Sequence, residues 1–520
     1  MRHWITLLCL IVCSCKPQTD KKAEQILHLN LKEEPTCTDP RQAQSLAEIT
    51  LMRHLFDGLY RSQEGGATPA LAQDVQISED GKVYRFTLRE ALWSDGKPIL
   101  ASHFLDSWQA ILTRQMPCNY VHLFFVIDQA KEVFRGSEPF DKVGIKALTD
   151  RILEIKLVRP LPYFLELLTL PVFFPIHPET SVLTPLFSGP FCLHFWEHQE
   201  KIGLKKNPTY WDKDHVYLNE IHFSLLQDAH TELYLFEKGE LDWLGQPLSH
   251  NLSAEFLEKT RGQNGVESQI IDGTFWVKIN TSKTLLSNAN LRQALSFCID
   301  RRGLIDHVLL GGQQEAGSIL PPTLSLSSPC RCLEFDIKQA KASFEKFLKQ
   351  SNLTAQTMPK LTLSYPSSDR TKKIVQYLAD TWLDKLGLCV HLEAQESAYY
   401  RTLTRQGLYE IGVGDWIADF HDPLAFLELF GSPNEEGMGL NDTFWHHPEY
   451  TALIEEAQKT KDSVLRKQLL SQAELLLMDE LPIIPLYHYA FDFVKGKHVS
   501  GLMVSPLGTT DFKSASLNPF

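Results

Sequence analysis

GVGDWIADFHDP, residues 412–423, sets a tryptophan between two carboxylates, Asp415 and Asp419, at the end of an apolar approach that begins at Tyr409. A strand from Tyr409 through Val413 heads for a core, and unpaired carboxylates are among the groups least willing to follow it there. The pattern predicts a cation waiting at the end of that strand. Strand neighbours face opposite ways, so Asp415 either lines a pocket or points into solvent. Asp422 stands before Pro423 and fits the N-cap of a helix over PLAFLELF, with proline at its first position. Its predicted job is capping, not ligand binding.

Working outward, strand and helix signals interleave along the whole chain, which predicts an α/β or α+β architecture. KVYRFTLRE (Lys82–Glu90) sets Val83, Tyr84, Phe86 and Leu88 among charged residues after the turn SEDG, and RILEIKLVRP (Arg151–Pro160) has a similar pattern. ASHFLDSWQAIL (Ala101–Leu112) instead spaces Phe104, Leu105, Trp108, Ile111 and Leu112 as a helix does. A further helix is predicted across SNANLRQALSFCIDRRGLIDHVL, capped by Asn288 or Asn290, with Leu291, Ala294, Leu295, Cys298 and Ile299 as its apolar stripe. Another helical pattern runs from Pro448 to Met478 with a charged break at KTKDSVLRKQ, and LPPTLSLSSP (Leu320–Pro329) is expected to be a surface loop.

The 520 residues, 43% hydrophobic and 22% charged, belong to a globular chain of several lobes. A formal charge of −13 disfavours a nucleic-acid partner. MRHWITLLCLIVCSC has a basic start and an apolar stretch from Trp4 to Cys13 that is too short to span a bilayer, as a secretory signal does. Val12-Cys13-Ser14-Cys15 resembles a bacterial lipobox. Residues 1–14 are therefore expected to be removed, Cys15 to be lipidated, and residues 15–25 to form a tether to a membrane. FLELLTLPVFFPI (Phe164–Ile176) is broken by Glu166 and two prolines and is not expected to span one. Setting Cys9, Cys13 and Cys15 aside, seven of the ten cysteines remain, and they are expected to be scattered buried thiols.

Five blocks, taken in order, resemble the peptide-binding proteins that serve ABC importers, the oligopeptide, dipeptide and nickel type of solute-binding family 5. The most specific is LWSDGKPILASHF, within His54–Gln109. The others are GPFCLHFWEHQEKIGLKKNPTYWD (Gly189–Asp212), FWVKINTSKTLLSNANLRQALSFCIDR, DWIADFHDP, and LPIIPLYHYAFDFVKGKHVSGL (Leu481–Leu502). The resemblance implies a periplasmic binding protein of type II (cluster C), with three lobes and a ligand cleft between two mobile ones. Lobe I would be assembled from residues 26–50, 186–275 and 485–520, lobe II from 51–185 and lobe III from 276–484. It implies a monomer that captures short peptides in the periplasm or cell envelope, delivers them to permease and ATPase subunits, and needs no cofactor.

A receptor for free peptides meets a constant ammonium, carboxylate and backbone, with variable side chains. Its binding energy belongs on the constants, through charge-assisted bonds and strand-like backbone pairing. In the resemblance, Asp419 matches the residue that takes the ammonium, Trp416 lies beside the ligand backbone, and Ile417 is a further ligand-binding position. The family commonly has a small residue where this chain has Asp415, whose bulk and charge would narrow a side-chain pocket or favour basic ligands unless it points into solvent. Three further positions match less specific regions: Glu34 in KEEPTCTDP, Tyr120 in CNYVHLF, and Arg405, which would face the peptide's far carboxylate.

The chain has no Gly-x-Ser-x-Gly elbow, His-Glu-x-x-His pair or phosphate-binding Gly-rich loop, so no catalytic residue is assigned and no enzyme is expected. The rival within the family is uptake of a nickel chelate or haem, with His421, His446, His447 and His488 as its candidates, although no metal site is assigned. Muropeptides and glutathione stay open as ligands, and an envelope scaffold or adhesin with an empty cleft is the reading of another class.

Overall fold

The computed structural model describes residues 25–63, 66–181, 184–260, 265–326, 334–432 and 440–518. The lipobox and Cys15 lie outside the described residues. The first strand, β1 (Ile26–Asn30), pairs parallel with Glu220–Ser224. Lys201–Lys206 and Phe191–Glu197 complete a four-stranded sheet. After it, α1 (Leu46–Leu55) opens on a capping box between Ser45 and Glu48. A second four-stranded sheet is built from Ala72–Ile77, Val83–Leu88, Ile152–Lys156 and Ile145–Thr149. Helix α2 (Ala101–Leu112) buries Phe104, Trp108, Ile111 and Leu112, the stripe that its spacing predicts. Both predicted strands in this region form, as Val83–Leu88 and Ile152–Lys156.

The third sheet is the largest. Its long members are β2 (Glu267–Ile279), β3 (Ile411–Ile417) and β4 (Ile483–Lys495), and β2 lies between the other two. Period-two alternation makes this sheet two-faced. Phe275, Val277 and Ile279 point into a core shared with α3 (Ala289–Phe297) and α4 (Asp369–Leu386). Trp276 and Ile483 point the other way, into a contiguous core that also joins both four-stranded sheets and residues 418–478. A register break separates Ile270 from Thr274 in the pairing with β4. Gly273 sits in that break, where a Cβ would come within 2.9 Å of the Tyr489 ring.

The chain ends are tied to its start. Arg61 donates to Asp511 at 2.7 and 2.9 Å and to Asp57 at 2.8 Å, and all three side chains are buried. Gln25 and Leu517 exchange hydrogen bonds at 2.8 and 2.9 Å. LPIIPLYHY thus lies in a core strand paired with segments far earlier in the chain.

Three expectations need correction. The helix predicted across residues 288–310 ends at Phe297 and restarts at Arg301, because Asp300 caps the second piece by accepting from Gly303 N. The LPPTLSLSSP segment is not a surface loop up to Leu326: Leu320, Leu324 and Leu326 are buried in the core that holds Trp276 and Ile483. Nor are the thiols uniformly buried. Cys298 is buried, whereas Cys389 is exposed, and Cys37, Cys118 and Cys192 are intermediate. Cys330 and Cys332 lie outside the described residues. The break predicted near KTKDSVLRKQ does occur, between helices Pro448–Lys459 and Ser463–Glu480.

Glu48 provides a pH test of this framework. Burial alone would push its carboxyl up. Hydrogen bonds from the Thr36 hydroxyl and from the backbone of Gln44, Ser45 and Thr36 outweigh burial and hold it down at about 2, below its ordinary 4.5. A depressed carboxyl stabilises the fold fully above its unfolded value and loses that effect as pH falls toward its folded one. Glu48→Gln is expected to lower stability by about 1–3 kcal/mol at neutral pH. Urea titrations should also show a shallower loss of stability for the variant between about pH 5 and pH 2.

Candidate functional site

The site is built around the end of β3. Asp415, Gly414 and Val413 pair with Phe275, Trp276 and Val277 of β2. Ile411 and Val413 are buried, and exposure begins at Asp415. The strand's other edge meets Leu361–Pro366 only between Ile411 and Leu363. Beyond that point Tyr400, on α5 (Ser397–Arg405), replaces a strand partner: its hydroxyl donates to Val413 O at 2.6 Å and accepts from Val413 N at 2.9 Å.

Past Ile417 the polar groups find partners one by one. Ala418 N donates to Asp272 O at 2.7 Å. Phe420 stacks on Tyr163 with ring centroids 4.1 Å apart. His421 pairs with the fully buried Asp272 at 2.5 Å, and Thr323 donates to the same carboxylate. That pairing, ahead of the opposing effect of burial, raises the imidazole pKa. Asp422 accepts from Leu424 N at 2.9 Å, the capping role predicted for it, and takes two bonds from Arg466 at 2.7 and 2.9 Å. Asp415 accepts from the Tyr489 hydroxyl at 3.1 Å.

Asp419 is the exception. Among the described residues, no cation or hydrogen-bond donor pairs with its carboxylate. Burial pushes its pKa above the ordinary carboxylate value, and His122 acts weakly against that rise. Burial also raises the Tyr120 phenol, and the charge of Asp419 adds to the effect. Glu428 is raised first by burial, and Asp419 is among the carboxylates that add to it. A half-buried negative group of this kind is stabilised by any cation brought beside it.

Beside Trp416 lies a cavity of about 540 Å³. Asp415, Trp416 and Arg405 line it, together with Lys278, Arg370 and Tyr400. Lys278 pairs with Asp442 at 2.7 Å and lies 5.2 Å from the centroid of the Tyr400 ring. The Trp416 Nε1 is buried without a partner among the described residues. The structure therefore gathers Asp415, Trp416 and Arg405 around one cavity, and the charge of Asp419 acts on the Tyr120 phenol. Ile417, 43% exposed, stands between the two groups in sequence.

Glu34 has a different setting. Its carboxylate accepts from Trp196 Nε1 at 2.7 Å and Gln199 N at 3.1 Å and pairs with His198 at 2.9 Å. These bonds, that from Trp196 first, depress its pKa. It braces the turn after Phe191–Glu197. Lys278 escaped the sequence reading although it carried the same signal as Asp415, a charge inside an apolar strand. Arg370 carried no signal.

The histidines do not converge. His488 is buried beside Thr274 at 2.9 Å, and burial pushes its pKa down to about 4. His447 stacks against Trp445 at 5.9 Å, and His421 belongs to Asp272. Among the described residues no group of three His, Cys, Asp or Glu could hold a metal ion, and no helix is long and apolar enough to cross a membrane.

Comparison with known proteins agrees with this architecture. A sequence profile described as bacterial extracellular solute-binding proteins, family 5 middle, matches residues 66–438. The chain is 33% identical over 512 residues to the oligopeptide-binding protein OppA of Bacillus subtilis, covering 95% of this chain and 93% of that protein. In three dimensions it is similar to the unliganded open form of the periplasmic murein tripeptide-binding protein MppA, with a TM-score of 0.83 at 25% identity, covering 95% and 98% of the two chains. It is also similar to peptide-bound OppA of Listeria monocytogenes, with a TM-score of 0.71 at 25% identity, covering 96% and 100%.

The wall of the cavity depends on Tyr400. Tyr400→Phe leaves the Val413 N–H and C=O without a partner and is expected to destabilise the protein by about 1–3 kcal/mol, measured as a shift of the urea midpoint at unchanged slope.

Proposed function

The chain belongs to family 5 of the bacterial extracellular solute-binding proteins and has the periplasmic binding protein type II fold, and from that premise we propose that it captures short peptides and delivers them to an ABC importer. Relatives named for oligopeptides, dipeptides and murein peptides support a peptide ligand. The observation that carries the reading is Asp419: a half-buried carboxylate with no cation of its own, at the end of the strand that the family blocks single out.

In this reading Asp419 takes the peptide's ammonium, and Trp416 and Ile417 flank the peptide backbone. Tyr120 approaches from the opposite side of the cleft, and Arg405 faces the far carboxylate. Glu34 contributes by holding its loop in place. The three-lobe partition sketched above, with lobe I gathered from three separate segments, assigns Tyr120 to lobe II and Asp419 to lobe III. A ligand touching both would favour the closed arrangement by its differential affinity for the two states.

Asp419→Asn keeps the shape and removes the charge. It is expected to weaken binding of free-amine peptides by about tenfold or more, the worth of one charge-assisted hydrogen bond, and to leave N-acetylated peptides little changed. Calorimetric titration of both ligand types measures this, and equal losses for the two would make Asp419 a structural group.

The same proposal holds the protein at a membrane through a lipid on Cys15. Cys15→Ser should then release soluble protein that still binds peptide and takes up no labelled palmitate. Label persisting in the variant would remove the anchor from the proposal.

A further inference from the structure

The cavity beside Trp416 carries a surplus of positive charge. Its described lining includes Lys278, Arg370, Arg401 and Arg405 against two carboxylates, Asp415 and Asp442. Lys278 and Asp442 satisfy one another at 2.7 Å. Asp415 is oriented by the Tyr489 hydroxyl, and the cations that act on it are Lys278 and Arg370. It therefore counters the cavity's own charges and is poorly placed to receive a cation from a ligand. Arg370 lies with its guanidinium 5.7 Å from the centroid of the Tyr487 ring. Neither Arg370 nor Arg401 has a carboxylate within ion-pair distance among the described residues.

We propose that this cavity is a subsite for an acidic side chain of the bound peptide, with Arg370 as the specificity-determining residue and Arg401 as its second cation. The inference rests on the peptide-receptor reading and adds the ligand class. A guanidinium is suited to the task because its planar fork grips a carboxylate through two parallel hydrogen bonds, and an aromatic face keeps that fork in place. A volume of about 540 Å³ admits a glutamate side chain with water around it. Lys278 is already engaged by Asp442, which leaves the arginines to discriminate. An amide in place of the carboxylate would give up the charge-assisted hydrogen bonds to those guanidinium groups, so Glu and Gln should be told apart.

The test uses tri- to pentapeptides in an alanine frame, with Glu placed at each position in turn. Each peptide is compared with its Gln counterpart and with its C-terminal amide, by calorimetry on the full mature protein. At one position, Glu is expected to bind at least about tenfold more tightly than Gln. That ratio should fall below about threefold in Arg370→Met, and Arg370→Lys should restore part of it, since lysine keeps the charge without the fork. Ratios near one at every position in the wild type overturn the proposal, as does a ratio that survives Arg370→Met. Discrimination that follows only C-terminal amidation assigns the cavity to the peptide's terminus and overturns it as well. If no peptide of any kind binds to folded protein, the peptide-receptor reading itself fails, an outcome distinct from equal binding of Glu and Gln.

Discussion

The pairing of two thirteen-residue strands, Glu267–Ile279 and Ile483–Lys495, is the constraint on which the rest of the architecture depends. Each strand presents alternate residues to two different cores, so the ladder belongs to both. Where its register breaks, the Asp272 carboxylate is fully buried and held by His421 and Thr323. A buried carboxylate is tolerated only when so compensated, and removing one partner of such a pair typically costs about 3–5 kcal/mol. Asp272 also accepts Ala418 N through its backbone carbonyl. The break therefore fixes residues 418 and 421, and Asp419 is placed between those two anchors.

That placement gives the site its electrical character. Asp415, His421 and Asp422 each have an internal partner, whereas Asp419 is left with burial and the opposing charge effect of His122, and its own charge acts on Glu428. A few residues away the described lining of the cavity has the opposite sign, with Lys278, Arg370 and Arg401 against Asp415 and Asp442. The two ends of the region thus favour opposite charges, one suited to an ammonium and the other to a carboxylate of the same ligand. In a partly enclosed cleft such charges act more strongly than on an open surface, since less water screens them.

Local rules account for much of what was anticipated. Helix α2 occupies the span its apolar spacing marks, and the strands Val83–Leu88 and Ile152–Lys156 fall inside the alternating segments. The departures have separate causes. The residues after Phe297 keep a helical stripe, but Asp300 ends one helix and caps the next, a competition between cap and helix interior that periodicity does not register. Leu320, Leu324 and Leu326 looked like loop residues amid serine and proline, yet contacts with distant segments bury them. Glu34 could be matched only to a segment that lies against a ligand backbone, because its partners, Trp196, His198 and Gln199, come from a hairpin more than 160 residues away.

By itself the sequence determined the mixed α/β class, the order of the family blocks, and a strand that leads toward Trp416 and Asp419. It could do so because alternation, caps and short motifs are local properties of neighbouring residues. Tertiary structure alone decided which carboxylates are already answered. Asp422 meets Arg466, Asp272 meets His421, and Asp419 meets no cation among the described residues, through contacts that span up to 149 positions. Tertiary structure likewise decided that Lys278, Arg370 and Arg401 share a cavity with Asp415. Charge compensation depends on distances of a few ångströms between segments remote in the chain, and no local pattern encodes those distances.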